Sequence, residues 1–525
     1  MPKGYLLLVL HAHLPFVRHP EHDVSLEEDW LFEAITETYL PLIDKFEALI
    51  DENVKFKLTM SLSPTLIEML EDGFLMDRYA GSLEKLIELS EMELERTRFM
   101  PRFHDLARMY HDRLRLAHRL FTDRHGRRII PAFKALKQEG YLEIITCSAT
   151  HAYLPLLSVN ENVIHAQIKT ARAHYDKVFG SRPEGIWMPE CGWAPQLEKH
   201  LQKEGLKYFF TDAHGLLHGD PRPRYGVFAP VKTKNGISVF ARDMASSAEV
   251  WSSKAGYPGD PCYRDFYRDI GYDLDFDYLR AFMQPTGSRK MTGIKYYRIT
   301  GGSGGKDVYD PAAARKKTAW HAADFIARRK RQAEQAGPFL DRPPVIVAPY
   351  DAELFGHWWF EGPEFLDSLF RGLDSQDDIE LICASEYLDR HKQIQTVQPA
   401  QSSWGLYGHN EMWLDQSNDW IYRHLHKAGE RMVQLAVLHP GAQGMLKRAL
   451  NQTARELMLA QSSDWAFIMK SGTTTQYAEK RIKDHLVCFT RLYEQIGEGN
   501  IDEKFLKVLE GKNNIFKEID YLDYA

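Results

Sequence analysis

The stretch "YLLLVLHAH", residues 5–13, runs through six apolar residues without alternation and ends in His11 and His13. A short run of this kind is typical of a strand that is buried on both faces of a parallel sheet. Seven similar runs follow it: "KFKLTMSLSP" (55–64), "LEIITCSATHAY" (142–153), "EGIWMPECGW" (184–193), "KYFFTD" (207–212), "ISVFARD" (237–243), "PVIVAPYDAE" (344–353) and "IELICASEY" (379–387). Because helical stretches separate these runs, the pattern predicts an α/β fold, either a barrel or a doubly wound sheet.

Two regions depart from this alternation of strands and helices. Residues 72–140 are charged and amphipathic, with an apolar stripe at helical spacing formed by Leu83, Leu86, Ile87 and Leu94. From residue 406 onward strand-like runs stop, and one helical face is kept apolar by Leu446, Leu450, Ala454 and Leu457. We therefore expect a helical insertion at 72–140 and a C-terminal α-helical domain at 406–525. Residues 1–71 and 141–405 would form the strand-bearing domain.

Composition narrows the class of protein. The 525 residues are 44% hydrophobic and 26% charged, and the formal net charge of −7 comes without a basic block for nucleic acid. The apolar run at residues 5–10 is too short for a signal peptide or a membrane span. Five cysteines without a CxxC pair suit a reducing compartment. We expect a cytoplasmic protein without a nucleic-acid or membrane partner, and a monomer or weak homo-oligomer.

Polar and aromatic side chains follow the predicted strands at the point where each strand ends. In a parallel barrel these ends converge on one mouth, where the reactive residues of barrel enzymes lie. The side chains that would meet there are His11, His13, His151, Tyr153, Trp187, Glu190, Trp193, Asp212, His214, Asp351 and Glu353. A turn after a strand needs polar residues, but five strands that end in His, Glu or Asp are more than turns alone would require. These residues therefore indicate an active site.

The stretch "VIVAPYDAELFGHWWFEGP", residues 345–363, indicates a ligand most directly. It places Asp351, Glu353 and His357 ahead of three consecutive aromatic residues at 358–360. A buried strand end requires none of these side chains. The chain also holds eleven tryptophans and twenty-five tyrosines, which suggests flat apolar surfaces for a ligand.

Two chemistries fit the residues at these strand ends. In the first, imidazoles hold a zinc ion and an aspartate handles the water, a set that would use His11, His13, His151, His214 and Asp351. In the second, Glu190 and Asp351 form the carboxylate pair of a glycosidase, and the three histidines at 11, 13 and 151 donate hydrogen bonds to sugar hydroxyls. Nearby tryptophans favour the second chemistry, because indole faces stack on sugar rings. The residues alone do not choose between Asp351 and Glu353.

Six short motifs occur along the chain in a fixed order: "HAHLPF", "SATHAYLPLL", "GIWMPECGW", "DAELFGHWWFEGP", "SSWG" and "SSDWAF". In this order they resemble the motifs of glycoside hydrolase family 57, in particular those of its α-1,4-glucan branching enzymes. The resemblance implies an incomplete (β/α)7 barrel with a helical insertion and a C-terminal α-helical domain. It also implies a retaining mechanism without metal or cofactor, with Glu190 as the nucleophile and Asp351 as the general acid and base.

The same resemblance implies a set of substrate-binding residues. Together with the histidines already named, this set consists of His11, His13, His151, Trp187, Arg264, His357, Trp404, Trp413 and Asp464. Three of them have plain structural alternatives. Trp404 could be a buried tryptophan at a domain junction, Asp464 a helix N-cap beside two serines, and Arg264 a member of an ion pair.

The fate of the glycosyl intermediate separates branching from hydrolysis. Branching members of the family resemble one another in a mobile loop that carries a tyrosine over the site, whereas residues 227–256 here contain none between Tyr225 and Tyr257. Thr473 is a second difference, at a position where other members carry glutamine. The resemblance implies a 1,4-alpha-glucan branching enzyme acting on α-1,4-glucan, with a hydrolytic α-amylase of the same family as the alternative. A metal-dependent barrel hydrolase and a glycan-binding scaffold without turnover are more remote alternatives.

Overall fold

The computed structural model describes residues 2–252, 256–284, 286–300 and 305–525. Its strands are β1 (Gly4–Ala12), β2 (Leu58–Leu62), β3 (Leu142–Cys147), β4 (Gly185–Trp187), β5 (Tyr208–Thr211), β6 (Val231–Lys232), β7 (Ser238–Ala241), β8 (Val345–Asp351) and β9 (Ile379–Leu381). All eight predicted strands are present. The two-residue β6 was not predicted, since it is too short to leave a hydrophobic pattern.

Seven of these strands run parallel in the order β7-β5-β4-β3-β2-β1-β8, and β9 pairs in parallel with the first residues of β1. The short β6 pairs antiparallel with β7. Between β7 and β8 the sheet has no ladder within the described residues, and a backbone hydrogen bond of 2.8 Å joins Asp243 N to Val347 O. The sheet is the incomplete (β/α)7 barrel that the resemblance to the family implied.

The first strand shows why both faces of this sheet are apolar. Every residue of β1 is buried, and its side chains alternate between two cores. Leu6, Leu8 and Leu10 pack with the surrounding helices, whereas Leu7 and Val9 belong to an inner core with residues from strands all round the barrel. Successive side chains on a strand point to opposite faces, so His11 continues the inner row at the carboxyl end of the barrel.

The helices from the barrel's first half to the end of the predicted insertion are α1 (Leu26–Ala34), α2 (Leu40–Asp51), α3 (Pro64–Glu71), α4 (Gly73–Arg96), α5 (Pro101–Arg119) and α6 (Ile130–Gln138). A π-helical segment, Ile35–Tyr39, joins α1 to α2. The two long helices α4 and α5 pack against each other, and α6 packs against β3. Residues 72–140 are thus helical, as the charged amphipathic pattern predicted.

The helices that follow are α7 (Leu154–Leu157), α8 (Glu161–Phe179), α9 (Glu198–Lys203), α10 (Ala213–Leu217), α11 (Met244–Trp251), α12 (Ile270–Asp273), α13 (Phe276–Leu279), α14 (Pro311–Ala336), α15 (Gly362–Asp374) and α16 (Ala384–Arg390). The C-terminal part is made of α17 (Trp420–Leu438), α18 (Gly444–Ala460), α19 (Ser463–Ser471), α20 (Thr475–Glu498) and α21 (Glu503–Lys512). Helix α20 packs against α17, α18 and α19. Across the described residues, every helix is too short or too polar to cross a bilayer.

Candidate active site

A cavity of about 510 Å³ lies at the carboxyl ends of the strands. Both predicted carboxylates, Glu190 and Asp351, line it. Of the predicted binding residues, those that also line it are His11, His13, His151, His357, Trp404 and Asp464. Side chains that lie 161 positions apart in the sequence thus meet in one cavity, as the strand-end argument predicted.

Glu190 stands on an unusual turn of the backbone. It follows β4 with φ +61° and ψ 24°, and Cys191 also has a positive φ of +50°. Residues other than glycine rarely adopt this left-handed conformation, which costs of the order of 1 kcal/mol. The backbone N–H of Trp404 donates to the carbonyl of Glu190 at 2.9 Å and helps to hold the turn.

The carboxylate of Glu190 accepts hydrogen bonds at both of its oxygens. The indole Nε1–H of Trp404 donates to Oε2 at 2.7 Å, and the hydroxyl of Ser463 donates to Oε1 at 3.0 Å. Burial raises the pKa of Glu190 to about 7, while these two hydrogen bonds oppose the rise. The negative charge of Asp464 adds to it. The two donors therefore favour the ionised form of Glu190 in a site that otherwise disfavours charge.

Asp351 has a different environment at the end of β8. It lies beside His11 in the sheet register, and within the described residues no group donates a hydrogen bond to its carboxyl. Burial raises the pKa of Asp351 well above its usual range, and the neighbouring Glu353 and Glu190 raise it further. These surroundings favour the protonated form of Asp351, whereas the two hydrogen bonds favour the ionised form of Glu190.

Glu353, the other carboxyl that the sequence offered as a partner of Glu190, accepts hydrogen bonds from the protein. Its Oε1 accepts a hydrogen bond from the hydroxyl of Tyr39 and one from the backbone N–H of His13 at 3.2 Å. These contacts tie the carboxyl to the π-helical segment and to the end of β1. Within the described residues Asp351 has no such hydrogen-bond partners, which favours Asp351 as the residue free to act on a ligand.

The three predicted histidines are stacked. The ring of His151 lies 3.7 Å from that of His13 and 5.1 Å from that of His11, centroid to centroid, and Trp187 stacks on His11 at 4.8 Å. Each imidazole is engaged by the protein through both nitrogens: His11 by Ser61 and His151, His13 by Ser63 and Asp464, His151 by His11 and Ser463. Their predicted contact with sugar hydroxyls therefore stays a prediction that would require these bonds to be exchanged.

A metal centre does not fit this cluster. Potential ligand atoms of His13, His151 and Asp464 lie within 4.8 Å of one another. The two rings are nearly parallel, with an interplanar angle of 11°, so their in-plane lone pairs do not converge on one point. In a second group, formed by His11, Cys147 and His151, the two imidazoles are hydrogen-bonded to each other at 3.0 Å, and burial raises the pKa of the Cys147 thiol well above its usual range.

Asp464 lines the cavity from the C-terminal part of the chain. It is the second residue of α19, whose N-cap is Ser462, so the alternative that Asp464 caps the helix is wrong. Its Oδ2 lies 3.0 Å from Nε2 of His13 and also accepts the hydroxyl of Ser462. Burial would raise the pKa of Asp464, but the nearby imidazole of His13 and its hydrogen bond hold that pKa well below its usual range.

Three predicted binding residues lie outside the lining of the cavity. Trp187 is fully buried beneath His11, and Trp413 is buried against the ring of Tyr153 at 4.7 Å. The guanidinium of Arg264 lies 3.4 Å from the carboxylate of Glu37 and stacks 4.1 Å above the ring of Phe360. Arg264 thus forms an ion pair, as its structural alternative predicted. These residues pack behind the cavity wall, and their predicted contact with a glucan stays a prediction.

His357 and Trp404 do line the cavity, and the structure explains how each is placed. Glu37 accepts a hydrogen bond of 2.8 Å from Nδ1 of His357, so the pair Arg264–Glu37 holds this imidazole from behind. Trp404 packs between the inner barrel core and the C-terminal helices, but it is only partly buried, lines the cavity and donates to Glu190.

Several residues that line the cavity escaped the sequence analysis. They are Trp30, Glu33, Arg242, Trp251 and Phe467, whereas Trp358 belongs to the aromatic run that the sequence analysis linked to a ligand. Arg242 follows β7, so the strand-end rule could have found it; it forms an ion pair with Asp212, another predicted strand-end residue. Trp251 ends α11 within the span 227–256 that lacks tyrosine, and residues 253–255 of that span lie outside the described residues.

Comparisons with known proteins agree with this architecture. Residues 7–399 match the sequence model described as "Glycosyl hydrolase family 57", and residues 424–524 match "1,4-alpha-glucan branching enzyme, C-terminal". A curated 1,4-alpha-glucan branching enzyme of Thermococcus kodakarensis is 32% identical over 98% of this chain and 78% of its own.

Two solved structures are similar over nearly the whole chain. One, of "the novel alpha-amylase AmyC from Thermotoga maritima", has a TM-score of 0.94 at 46% identity and 99% coverage of both chains. The other is a family 57 branching enzyme from Pyrococcus horikoshii, with a TM-score of 0.90 at 33% identity over 100% of this chain and 97% of that chain.

Proposed function

The chain belongs to glycosyl hydrolase family 57, and from this premise we propose that it is a 1,4-alpha-glucan branching enzyme. Its substrate is an amylose-like α-1,4-glucan, which it cleaves with retention of configuration. It then transfers the cleaved chain to the 6-hydroxyl of another glucan, forming an α-1,6 branch. The match of residues 424–524 to the C-terminal region of branching enzymes supports transfer as the outcome.

One observation carries this proposal: Glu190 and Asp351 line the same cavity but differ in their hydrogen bonding. Glu190 accepts two hydrogen bonds, which favour its ionised form. Asp351 is partly buried and accepts no hydrogen bond within the described residues, and loss of solvation raises its pKa well above its usual range. A retaining glycosidase needs this pairing of a carboxylate nucleophile with a carboxylic acid.

The reaction follows from these roles. The Glu190 carboxylate attacks the anomeric carbon while Asp351 gives its proton to the glycosidic oxygen, so the leaving chain departs and a glycosyl ester forms on Glu190. Asp351, now ionised, takes the proton of an incoming 6-hydroxyl. That oxygen attacks the anomeric carbon and releases Glu190. Two inversions at one carbon retain the α configuration.

The tryptophans of the cavity suit a polysaccharide. Trp30, Trp251, Trp358 and Trp404 line it from four separate parts of the chain. Trp358 is 47% exposed, a large apolar surface to leave in water unless a ligand covers it. Indole faces bury the apolar C–H faces of glucose units while leaving the hydroxyls free for hydrogen bonds.

The assignment of the carboxylates is tested by substitution. We expect Glu190→Gln and Asp351→Asn each to lower kcat by about 10³-fold or more, because each removes a group that acts on the reacting atoms. Glu353→Gln is the matched control, since Glu353 is a neighbouring buried carboxyl that already has hydrogen-bond partners. Circular dichroism confirms that each variant folds. Activity of either variant within tenfold of the unaltered protein would exclude the assignment.

Incubation with amylose tests transfer. Reducing ends are counted before and after treatment with a debranching enzyme. We expect new ends chiefly after debranching, because a chain transferred to a 6-hydroxyl replaces each bond that is broken. New ends that appear equally without debranching would show that water takes the intermediate.

Hydrolysis is a second candidate because the structure at 46% identity is that of a protein titled an α-amylase. The span 227–256 lacks a tyrosine and instead places Trp251 in the cavity. The same assay decides between the two outcomes, since both use the same glycosyl ester.

We also propose a cell compartment and an oligomeric state for the protein. All five cysteines are free, which fits a reducing compartment, and we place the protein in the cytoplasm. We expect a monomer or a weak homo-oligomer. Size-exclusion chromatography with light scattering across a tenfold range of concentration measures this directly.

A further inference from the structure

A continuous series of hydrogen bonds leads to Glu190 from the far side of the barrel mouth. Ser61 Oγ lies 3.1 Å from Nδ1 of His11, and Nε2 of His11 lies 3.0 Å from Nε2 of His151. Nδ1 of His151 lies 2.7 Å from Oγ of Ser463, whose hydroxyl donates to Glu190 Oε1 at 3.0 Å. Five side chains from β1, β2, the loop after β3, the turn after β4 and α19 are thereby connected.

The four side chains that precede Glu190 in this series are all buried. Ser61 is fully inaccessible, and His11, His151 and Ser463 are each 3% exposed. Burial, with the neighbouring imidazoles, lowers the pKa of both His11 and His151 well below the usual value. Both rings are therefore neutral near pH 7, and each has one nitrogen that donates and one that accepts.

Neutral rings and an ionised carboxylate leave one arrangement of protons. Glu190 can only accept, so Ser463 donates to it and must accept from Nδ1–H of His151. His151 then carries no proton on Nε2, which accepts from Nε2–H of His11. His11 in turn carries no proton on Nδ1, which accepts from the hydroxyl of Ser61. Every hydrogen bond in the series therefore points toward Glu190.

We propose that Ser61, His11, His151 and Ser463 form a one-way hydrogen-bond chain that holds Glu190 ionised and aimed into the cavity, with Ser463 as its positioning residue. The inference rests on the proposed role of Glu190 as the nucleophile. It assigns His11 and His151 to the support of that nucleophile, because both nitrogens of each ring are used within the chain. It also explains why an α-helix of the C-terminal part reaches into a barrel site.

The chain works through polarisation. Hydrogen bonds in series strengthen one another, and their dipoles here align with the positive ends toward the carboxylate. A proton on Glu190 Oε1 would face the hydroxyl hydrogen of Ser463, so the arrangement disfavours the protonated form. Ser61 ends the chain in the buried core, and within the described residues its side chain has no further hydrogen-bond partner through which a proton could leave.

Imidazole tautomers test the chain without any measurement of activity. Nitrogen-15 NMR of the full-length protein with labelled histidine distinguishes Nδ1–H from Nε2–H forms, and His11→Gln and His151→Gln assign the two signals. At pH 8 we expect His11 as the Nε2–H form and His151 as the Nδ1–H form. The opposite forms, or a charged ring at either position, would overturn the proposal. Failure of Glu190→Gln to lower activity would instead overturn the role of Glu190 and leave the tautomers unaffected.

The pH dependence of kcat/KM tests the function of the chain. The charged or titratable groups around Glu190 are Asp351, Asp464, His13, His151, Arg242, Cys147, Tyr153 and Cys191, and all remain in the variants below. Loss of the Ser463 hydroxyl in Ser463→Ala disfavours the ionised carboxylate. We expect the acid limb of the profile to move up by about one pH unit. For each protein, kcat/KM at a pH below the acid limb is divided by its own plateau value. This ratio should be about tenfold lower in the variant than in the unaltered protein.

Three further variants separate the chain from a single local contact. Ser463→Thr keeps the hydroxyl and should restore the acid limb. Ser61→Ala removes the far end of the chain and should move the limb in the same direction by a smaller amount. Ser148→Ala is the matched control, because this buried hydroxyl lies in the loop before His151 but donates to the carbonyl of Ala152 at 3.3 Å. An unmoved limb in Ser463→Ala, or an equal movement in Ser148→Ala, would overturn the proposal.

Discussion

The indole of Trp404 offers a measurable test of how the protein stabilises its nucleophile. Its Nε1–H donates to Oε2 of Glu190 at 2.7 Å, a short hydrogen bond to an ionised group. Trp404→Phe removes this donor while keeping an aromatic ring in the cavity wall. Hydrogen bonds to charged groups contribute about 1.5–3 kcal/mol, which corresponds to a decrease of about 10-fold to 150-fold in kcat/KM if the bond acts fully on the reacting state.

The effect of Trp404→Phe also depends on pH in a defined direction. Burial already raises the pKa of Glu190 to about 7, and loss of a donor to the ionised form raises it further. The acid limb of the pH profile should therefore move upward, so that the loss of activity is larger at pH 6 than at pH 9. The control is Trp413→Phe, since Trp413 is buried against Tyr153 outside the cavity lining.

The assay is release of chains from amylose, measured by the fall in iodine absorbance between pH 5 and 10. Stability is followed in parallel by thermal unfolding. A kcat/KM for Trp404→Phe within twofold of the unaltered protein over the whole range would refute the reasoning. So would a loss of activity that is the same at every pH, because it would report a displaced ring rather than a lost donor.

Three other predictions concern the same cavity. Asp464→Asn should lower the free energy of unfolding by about 1–3 kcal/mol at pH 7. Because the folded pKa of Asp464 is depressed, this difference is full above about pH 4 and decreases as pH falls toward the folded value, so urea unfolding should show a smaller difference at pH 2 than at pH 7. Trp251→Ala should raise the ratio of hydrolysis to transfer, because it removes an apolar wall that keeps water from the glycosyl ester, and the reducing-end assay with and without debranching reports this ratio. Dialysis against EDTA should leave kcat unchanged, since the imidazoles of His13 and His151 are stacked rather than convergent; a loss restored by zinc would contradict this.

Much of the architecture could be predicted because the strands are buried on both faces. Unbroken apolar runs such as residues 5–10 are typical of such strands, and the side chains after them had to meet at the barrel mouth. The carboxylate pair at 190 and 351 and the histidine cluster were therefore accessible to reasoning from the sequence. Strand β6 could not be predicted, because two residues are too few to show a hydrophobic pattern.

The partners of those side chains could not be predicted. Ser61 and Ser463 lie 50 and 312 residues from the histidines that they contact, and a serine near a helix start is usually a cap. The ion pair that Arg264 could form was foreseen, but its sequence neighbours do not reveal that the partner is Glu37, 227 residues away. Such contacts depend on how distant segments pack, which local pattern does not encode.

Helix α19 delivers Ser463 to the nucleophile and Asp464 to His13, although every strand of the barrel precedes it in the chain. On the ribosome, synthesis proceeds from the N-terminus, so the barrel can fold before this helix has emerged. A nascent chain that ends before residue 463 holds both acidic groups but lacks a donor to one of them. The hydrogen bonding of Glu190 and His13 is therefore complete only after α19 has been synthesised and has packed against the barrel.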